Sequence, residues 1–156
     1  MAETFIDGTT VLLYADFTTP VDTDIADLTL ANFELVACLT SNAFDGTTTG
    51  VSTSGKCAGK FATSIGGEQS WTMSGEGKSV ILEDGDDRIS HNALFKRWRS
   101  GQPFWAAQYD PAQNTARIGV VRNDTHNDTF PDKDSATFST SLTGIGDVYD
   151  QDDLTP

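Results

Sequence analysis

A mostly β fold, a β-sandwich or barrel with one flanking α-helix, is what this sequence predicts, and three observations predict it. Apolar residues recur with a period of two, the strand period, in several short stretches. Eighteen of the acids are Asp and only five are Glu, and fourteen glycines are scattered along the chain, a balance that favours turns over helix interiors. Only one stretch has apolar residues at helical spacing between recognisable caps. The 156 residues fit one domain, because two cores would leave each half in the size range that usually needs staples. The expected organisation is a single domain over 1–156, with a flexible arm at about 41–60 and an acidic C-terminal tail at about 147–156.

TVLLYADF (10–17) is an apolar run of strand formers that ends at Thr18, Thr19 and Pro20. Residues 21–32 set Asp22, Asp24 and Asp27 among small apolar residues and read as an exposed connection. FELVACLT (33–40) alternates, with Phe33, Leu35, Ala37 and Leu39 on one face of a predicted strand. The next twenty residues, 41–60, are nearly all Ser, Thr, Gly and other small residues, with Phe44 and Val51 the only sizeable apolar side chains. Such a stretch cannot bury enough surface to order itself alone. It reads as a surface loop or long hairpin, or as an arm that orders on a neighbouring subunit.

In SWTMSGEG (70–77), Trp71 and Met73 alternate with polar residues; KSVILE (78–83) and an acidic turn at Asp84, Asp86 and Asp87 follow. The helix is predicted from Ser90, its N-cap, through HNALFKRWR, where Leu94, Phe95 and Trp98 share a core-facing side. Lys96, Arg97 and Arg99 complement its dipole, and Gly101 and Pro103 stop it. FWAAQY (104–109) and TARIGVV (115–121) are strands joined by a turn-rich link; residues 122–135 read as a second polar loop. ATFSTSLTG (136–144) alternates again, with Phe138 and Leu142 on one face.

Charge restricts the partners. Twenty-three acids against ten bases give −13 and a pI near 4.2, which argues against tight nucleic-acid binding and against an anionic membrane surface. Residues 1–55 hold eight acids and no Lys or Arg, whereas Arg88, Lys96, Arg97 and Arg99 crowd into twelve positions. Acidic and basic surfaces on one small chain suit a head-to-tail self-contact. No stretch has the length of a membrane span, and MAETFIDG shows no secretory signal, so a soluble product that begins in a cytoplasm is expected. Cys38 and Cys57 are compatible with meeting across two strands, but a reducing compartment favours thiols.

No catalytic constellation accompanies these features. Nucleophile elbow, phosphate loop, zinc-protease helix and dinucleotide fingerprint are all missing from the sequence, and neither His91 nor His126 has supporting context. The Asp-rich stretches 84–87 and 124–134 lack the spacing of a dedicated calcium loop and read as solvated turns. Asn123-Asp124-Thr125 and Asn127-Asp128-Thr129 match the glycosylation acceptor pattern, which means little without secretion. An enzyme is not expected, nor a cofactor or metal.

The alternating strand running into a Ser/Thr/Gly arm (33–57), GGEQSWTMSG (66–75) and the ending DKDSATFSTSLTGIGDVY (132–149) occur in an order that resembles the tail tube, or major tail, proteins of long-tailed bacteriophages. The resemblance spans about residues 10–149 and rests on that order around a single helix. It implies the phage tail tube fold, assembled into stacked, usually hexameric rings around a tape-measure protein. It also implies tail tip and tail terminator partners, and an acidic lumen that passes DNA without binding it. Location in the virion tail follows, with assembly in the host cytoplasm and no membrane contact. On this view Phe5, Phe44, Val51, Arg88, Lys96, Arg97 and Arg99 are candidate self-assembly contacts. Asp22, Asp24, Asp27 and Glu34 are candidates for an acidic or lumen surface. Two alternatives stay open: a carbohydrate- or receptor-binding sandwich using Trp71, Trp105 or Tyr109 as stacking platforms, and a related secretion-tube or tail-completion ring.

Overall fold

The computed structural model describes residues 8–9, 11–53 and 64–150. Seven strands form one antiparallel sheet in the order β2-β1-β5-β6-β7-β4-β3. They are β1 (Leu12–Asp16), β2 (Glu34–Leu35), β3 (Leu39–Ser52), β4 (Ser64–Lys78), β5 (Phe104–Asp110), β6 (Thr115–Thr129) and β7 (Thr137–Asp150). One helix, α1 (His91–Ser100), lies between β4 and β5.

The sheet folds over itself because β6 and β7 each serve two neighbours. β5 pairs only with the first half of β6, from Asp110 opposite Thr115 to Phe104 opposite Val121. β4 pairs only with the first half of β7, from Lys78 opposite Thr137 to Thr72 opposite Thr143. Between these halves the β6–β7 ladder shifts register at Gly119/Val120 and at Asn123/Thr125. Such bulges bend a strand and let it pass from one layer to the next. The result brings β3 over β1 and β5, where Asn42 Nδ2 donates to the Val11 carbonyl (3.0 Å) and Gln108 Nε2 donates to Asn42 Oδ1 (2.6 Å).

Period-two alternation then fills the space between the layers. Leu13 and Ala15, Trp71 and Met73, Phe104 and Ala106, Val121, Phe138 and Leu142 form the main core, with Val36, Ile89 and Leu94 of α1 closing it. The opposite face of β5 and β6 offers Trp105, Ala107, Ala116 and Ile118. The 21–33 connection covers that face with Leu28 and Phe33, using two short 3-10 turns, Ile25–Asp27 and Leu30–Asn32. β5 is therefore buried on both sides, which explains its nearly unbroken apolar run.

α1 matches its sequence signals. Ser90 Oγ accepts from the Ala93 amide (3.2 Å), and Gly101 ends the helix in the left-handed region at φ 69°. Its apolar side is buried less than its spacing predicts: Leu94 is fully buried, Phe95 half-buried and Trp98 exposed. Trp98 lies at the rim, stacked on Phe95 (5.9 Å) with its indole N–H donating to the Asp124 carbonyl at the bulge (3.3 Å).

Three segments differ from expectation, and a fourth, 41–52, takes one of the readings left open, the long hairpin. Residues 33–40 are not one strand; β2 is two residues long, and Cys38 at φ 57° turns the chain before β3 begins. Of the 41–60 stretch, residues 41–52 are strand in a long hairpin with β4, and 54–60 lie outside the described residues. The expected loop at 122–135 is strand as far as Thr129, because Asn123, His126 and Phe138 fill the space under α1. Residues 147–150 likewise belong to β7 rather than to a tail, and 151–156 lie outside the described residues.

Candidate assembly surface

The β3–β4 hairpin has two parts of different character. Near the body its β4 strand buries Trp71, Met73, Gly75 and Gly77 on alternate positions. Beyond Trp71 every described residue of 45–52 and 64–70 is exposed on both faces, a projecting two-stranded ribbon. Ser, Thr and Gly supply its surface, so only cross-strand pairing holds it, and an isolated two-stranded ribbon is marginal in water. Val51 and Ile65 sit directly opposite each other on it, 49% and 60% exposed. A register shift between Thr48 and Gly50 brings the Thr49 carbonyl so close to Gly67 that a Cβ there would press on it.

The root of this arm is fixed by an aromatic stack. The Trp71 indole lies against Gly119 and Gly144, where any Cβ would overlap the ring. Its N–H donates to the Gly146 carbonyl, and Phe44 stacks on it (5.9 Å, 19° between planes). Above Phe44 lies the Arg117 guanidinium, 5.0 Å from the ring centre.

The basic residues expected to make intersubunit contacts divide into two kinds. Arg88 pairs with Asp86 (2.6 Å), and hydrogen bonds from Arg88 hold the Asp86 carboxyl down at about 2. Arg97 folds back onto its own chain: it donates to the Phe17 carbonyl (2.9 Å), lies 4.5 Å above the Phe17 ring, and burial lowers its pKa. Lys96 and Arg99 project from α1 into solvent, with no ion-pair partner among the described residues. Asp22, Asp24 and Asp27 are exposed on the connection over the second core, where Asp24 caps the first 3-10 turn through the Ala26 amide (3.0 Å), and Glu34 is exposed at the start of β2. Phe44 is half-buried in the stack at the arm root, Val51 is on the exposed arm, and Phe5 lies outside the described residues.

Other sequence features resolve locally. Asp124 pairs with Arg122 (2.6 Å) and Asp128 with His126 (3.1 Å), so these acids engage side chains two residues away. Among the described residues no group of three or more His, Cys, Asp or Glu is placed to hold a metal ion. The Asn123 amide is buried and bonded at both ends, to the Leu94 carbonyl (3.0 Å) and the Thr140 hydroxyl (2.8 Å), so that sequon cannot carry a glycan in the folded chain. Cys38 is an exposed free thiol; Cys57, and with it any pairing, lies outside the described residues. Sequence reasoning passed over Ile65, Ile81 and Phe130, which are exposed large hydrophobics. Ile65 stands between Ser64 and Gly66 and Phe130 between Thr129 and Pro131, signals too weak to separate from a strand, whereas Ile81 sits between Val80 and Leu82 in a run that reads as core.

A sheet folded into two layers, one helix and one projecting hairpin define the tail tube fold, and solved structures share it. The chain superimposes on a subunit of the tail of an empty gene transfer agent particle, refined with C6 symmetry, at TM-score 0.71 and 17% identity. That match covers 93% of this chain and 98% of the other. The SPP1 tail tube matches at TM-score 0.63 and 13% identity, over 93% and 78% of the two chains. A subunit of the anti-feeding prophage baseplate, 6-fold symmetrised, matches at 0.62 and 8% identity, over 96% and 97%. No protein-family model matches the sequence, and no curated protein does.

Proposed function

We propose that this chain is a structural virion protein that polymerises into stacked hexameric rings, forming a tail tube through which DNA leaves the particle. The observation that carries this reading is the projecting β3–β4 ribbon, whose described residues 45–52 and 64–70 are exposed on both faces and include the aliphatic pair Val51 and Ile65. A lone subunit gains nothing from such an arm, whereas a neighbouring copy buries it. The six-fold symmetry of two structural neighbours supports the ring stoichiometry. The charge of −13 supports an acidic lumen, since a negative wall repels phosphate and lets DNA slide. Asp22, Asp24, Asp27 and Glu34 are the proposed acidic surface. Lys96 and Arg99 are the cations best placed to meet it from an adjacent copy, whereas Arg88 and Arg97 already have partners within the chain. Tape-measure, tip and terminator proteins complete the tail on this reading, with assembly in the host cytoplasm.

A related secretion-tube or tail-completion ring protein is the second reading, favoured by the likeness to the baseplate subunit over 96% of this chain. The carbohydrate-binding alternative loses support, because Trp71 and Trp105 are buried and their indole N–H groups are spent on backbone carbonyls. Electron microscopy of the concentrated protein and of particles containing it tests the proposal. Hollow tubes with six-fold cross-sections are expected, and a tail shaft built from another chain would overturn it.

A further inference from the structure

The space between the two layers opens at one end into a groove of about 1050 Å³, large enough for a small molecule. Period two on β5 explains why its lining differs from the core. Phe104 and Ala106 face the main core, and the next two residues on that side, Gln108 and Asp110, face the groove. On β6, Arg117 lies opposite Gln108 and Thr115 opposite Asp110, so Asp110 and Arg117 are diagonal neighbours on one face. Asn42 and Phe44 of β3 belong to the facing wall.

Asp110 is the anomaly in this lining. It is 3% exposed, its Oδ1 accepts from the Ala112 amide (3.0 Å), and its Oδ2 is buried with no hydrogen-bond partner. A buried carboxylate oxygen without a donor is costly, and a donor from a ligand recovers that cost. Arg117 is the complementary half. It has no ion-pair partner among the described residues, although Asp150 lies opposite it on β7. Its guanidinium lies over the Phe44 ring (5.0 Å), and stacking of this kind leaves the in-plane N–H donors free for a carboxylate. Beside them Gln108 Nε2 donates to Asn42 Oδ1 (2.6 Å) and Asn42 Nδ2 to the Val11 carbonyl (3.0 Å), which fixes both amides.

We infer that this groove binds a short zwitterion, an amino acid or dipeptide with an apolar side chain, whose ammonium meets Asp110 and whose carboxylate meets Arg117. Diagonal neighbours on paired strands are about 7–8 Å apart, a span that one or two amino-acid units bridge. Leu39 and Phe44 supply apolar wall for the ligand's side chain. A ligand with a positive charge alone would face Arg117 unpaired, and one with a negative charge alone would face Asp110, so both are disfavoured.

Isothermal titration of the full chain with L-leucine and glycyl-L-leucine tests the site. Saturable binding is expected, weakened about tenfold or more when the ligand's ammonium is acetylated or its carboxylate amidated. Asp110→Asn, which keeps an acceptor for the Ala112 amide, should abolish the preference for the free ammonium and keep that for the free carboxylate. Arg117→Met should do the reverse. Thermal melts show whether each variant is folded. Should Asp110→Asn fail to fold, Arg117→Met and the two blocked ligands decide alone. Absence of binding by both ligands at millimolar concentration would overturn the inference. So would equal binding of the blocked and free forms, or folded variants that keep both preferences.

Discussion

The Trp71 indole N–H donates to the Gly146 carbonyl at 2.9 Å, and this bond ties the root of the projecting hairpin to the far end of β7. Gly119 and Gly144 leave the room that the ring occupies, and Phe44 covers it. The direction in which the arm leaves the body is thus set inside the monomer. An arm held this way loses less freedom when a partner captures it.

Filling that slot should therefore be costly. Gly144→Ala places a methyl group inside the indole ring and should destabilise the fold by about 1–3 kcal/mol, the usual range for overpacking. Trp71→Ala removes the ring and its hydrogen bond and should cost about 3–5 kcal/mol. Denaturant unfolding measures both. The associated Phe44→Ala variant should lower polymerisation more than it lowers stability, because it loosens the arm root while the slot remains filled.

Asp16 is a second point of leverage, because it is buried at the end of β1. Its Oδ1 accepts from the Thr18 amide (2.8 Å), the Thr18 hydroxyl (2.8 Å) and the Thr19 amide (3.1 Å), and the Thr19 hydroxyl donates to Oδ2. Burial pushes its pKa up, but these hydrogen bonds outweigh burial and hold it below the ordinary 3.8. A carboxylate lowered on folding contributes stability that is complete above its unfolded pKa and is lost as pH falls through the folded one. Asp16→Asn should reduce stability near neutral pH and flatten the loss of stability below pH 3.8, measured by thermal melts across that range.

Asn123 ties α1 to the sheet by serving a helix carbonyl and a strand hydroxyl at once. Asn123→Ala removes both bonds and leaves the buried Thr140 hydroxyl without its acceptor, and should cost about 1–3 kcal/mol. Hydrogen exchange should show the loss concentrated in α1 and β6.

Lys96 and Arg99, which have no ion-pair partner among the described residues, separate assembly from folding. Lys96→Glu and Arg99→Glu should leave the melting temperature nearly unchanged and reduce polymerisation. Arg97→Glu should lower the melting temperature as well, since Arg97 packs over Phe17 and bonds its carbonyl. Equal melting temperatures for all three would contradict the division drawn here.

Legibility in the sequence followed burial. β1, β5, the first half of β6 and the start of β7 each bury alternate or consecutive apolar residues, and α1 carries its own caps, so all were readable. The arm strands bury nothing on either face, and a pattern that arises from burial cannot report them. The second half of β6 escaped for another reason: its inward positions are Asn123 and His126, a polar lining under α1 that resembles a loop. At Cys38 a left-handed turn interrupts what reads as unbroken alternation. Among the candidate contacts, sequence could place Val51 on an exposed arm. It could not foresee that Phe44 and Arg97 are engaged within the chain, because those partners are 27 and 80 positions away.

The pairing of β1 with β5 has a kinetic consequence. Tyr14 lies opposite Ala107, so β1, which can meet the two-residue β2 early, must wait for some ninety further residues before its longer partner β5 exists. At ribosomal rates of roughly 5–20 residues per second, Leu13 and Ala15 stay without their β5 partners for about 5–20 s during synthesis. Such distant closure folds slowly. Each newly made chain should therefore pass through a stage in which its amino-terminal strand is a target for chaperones.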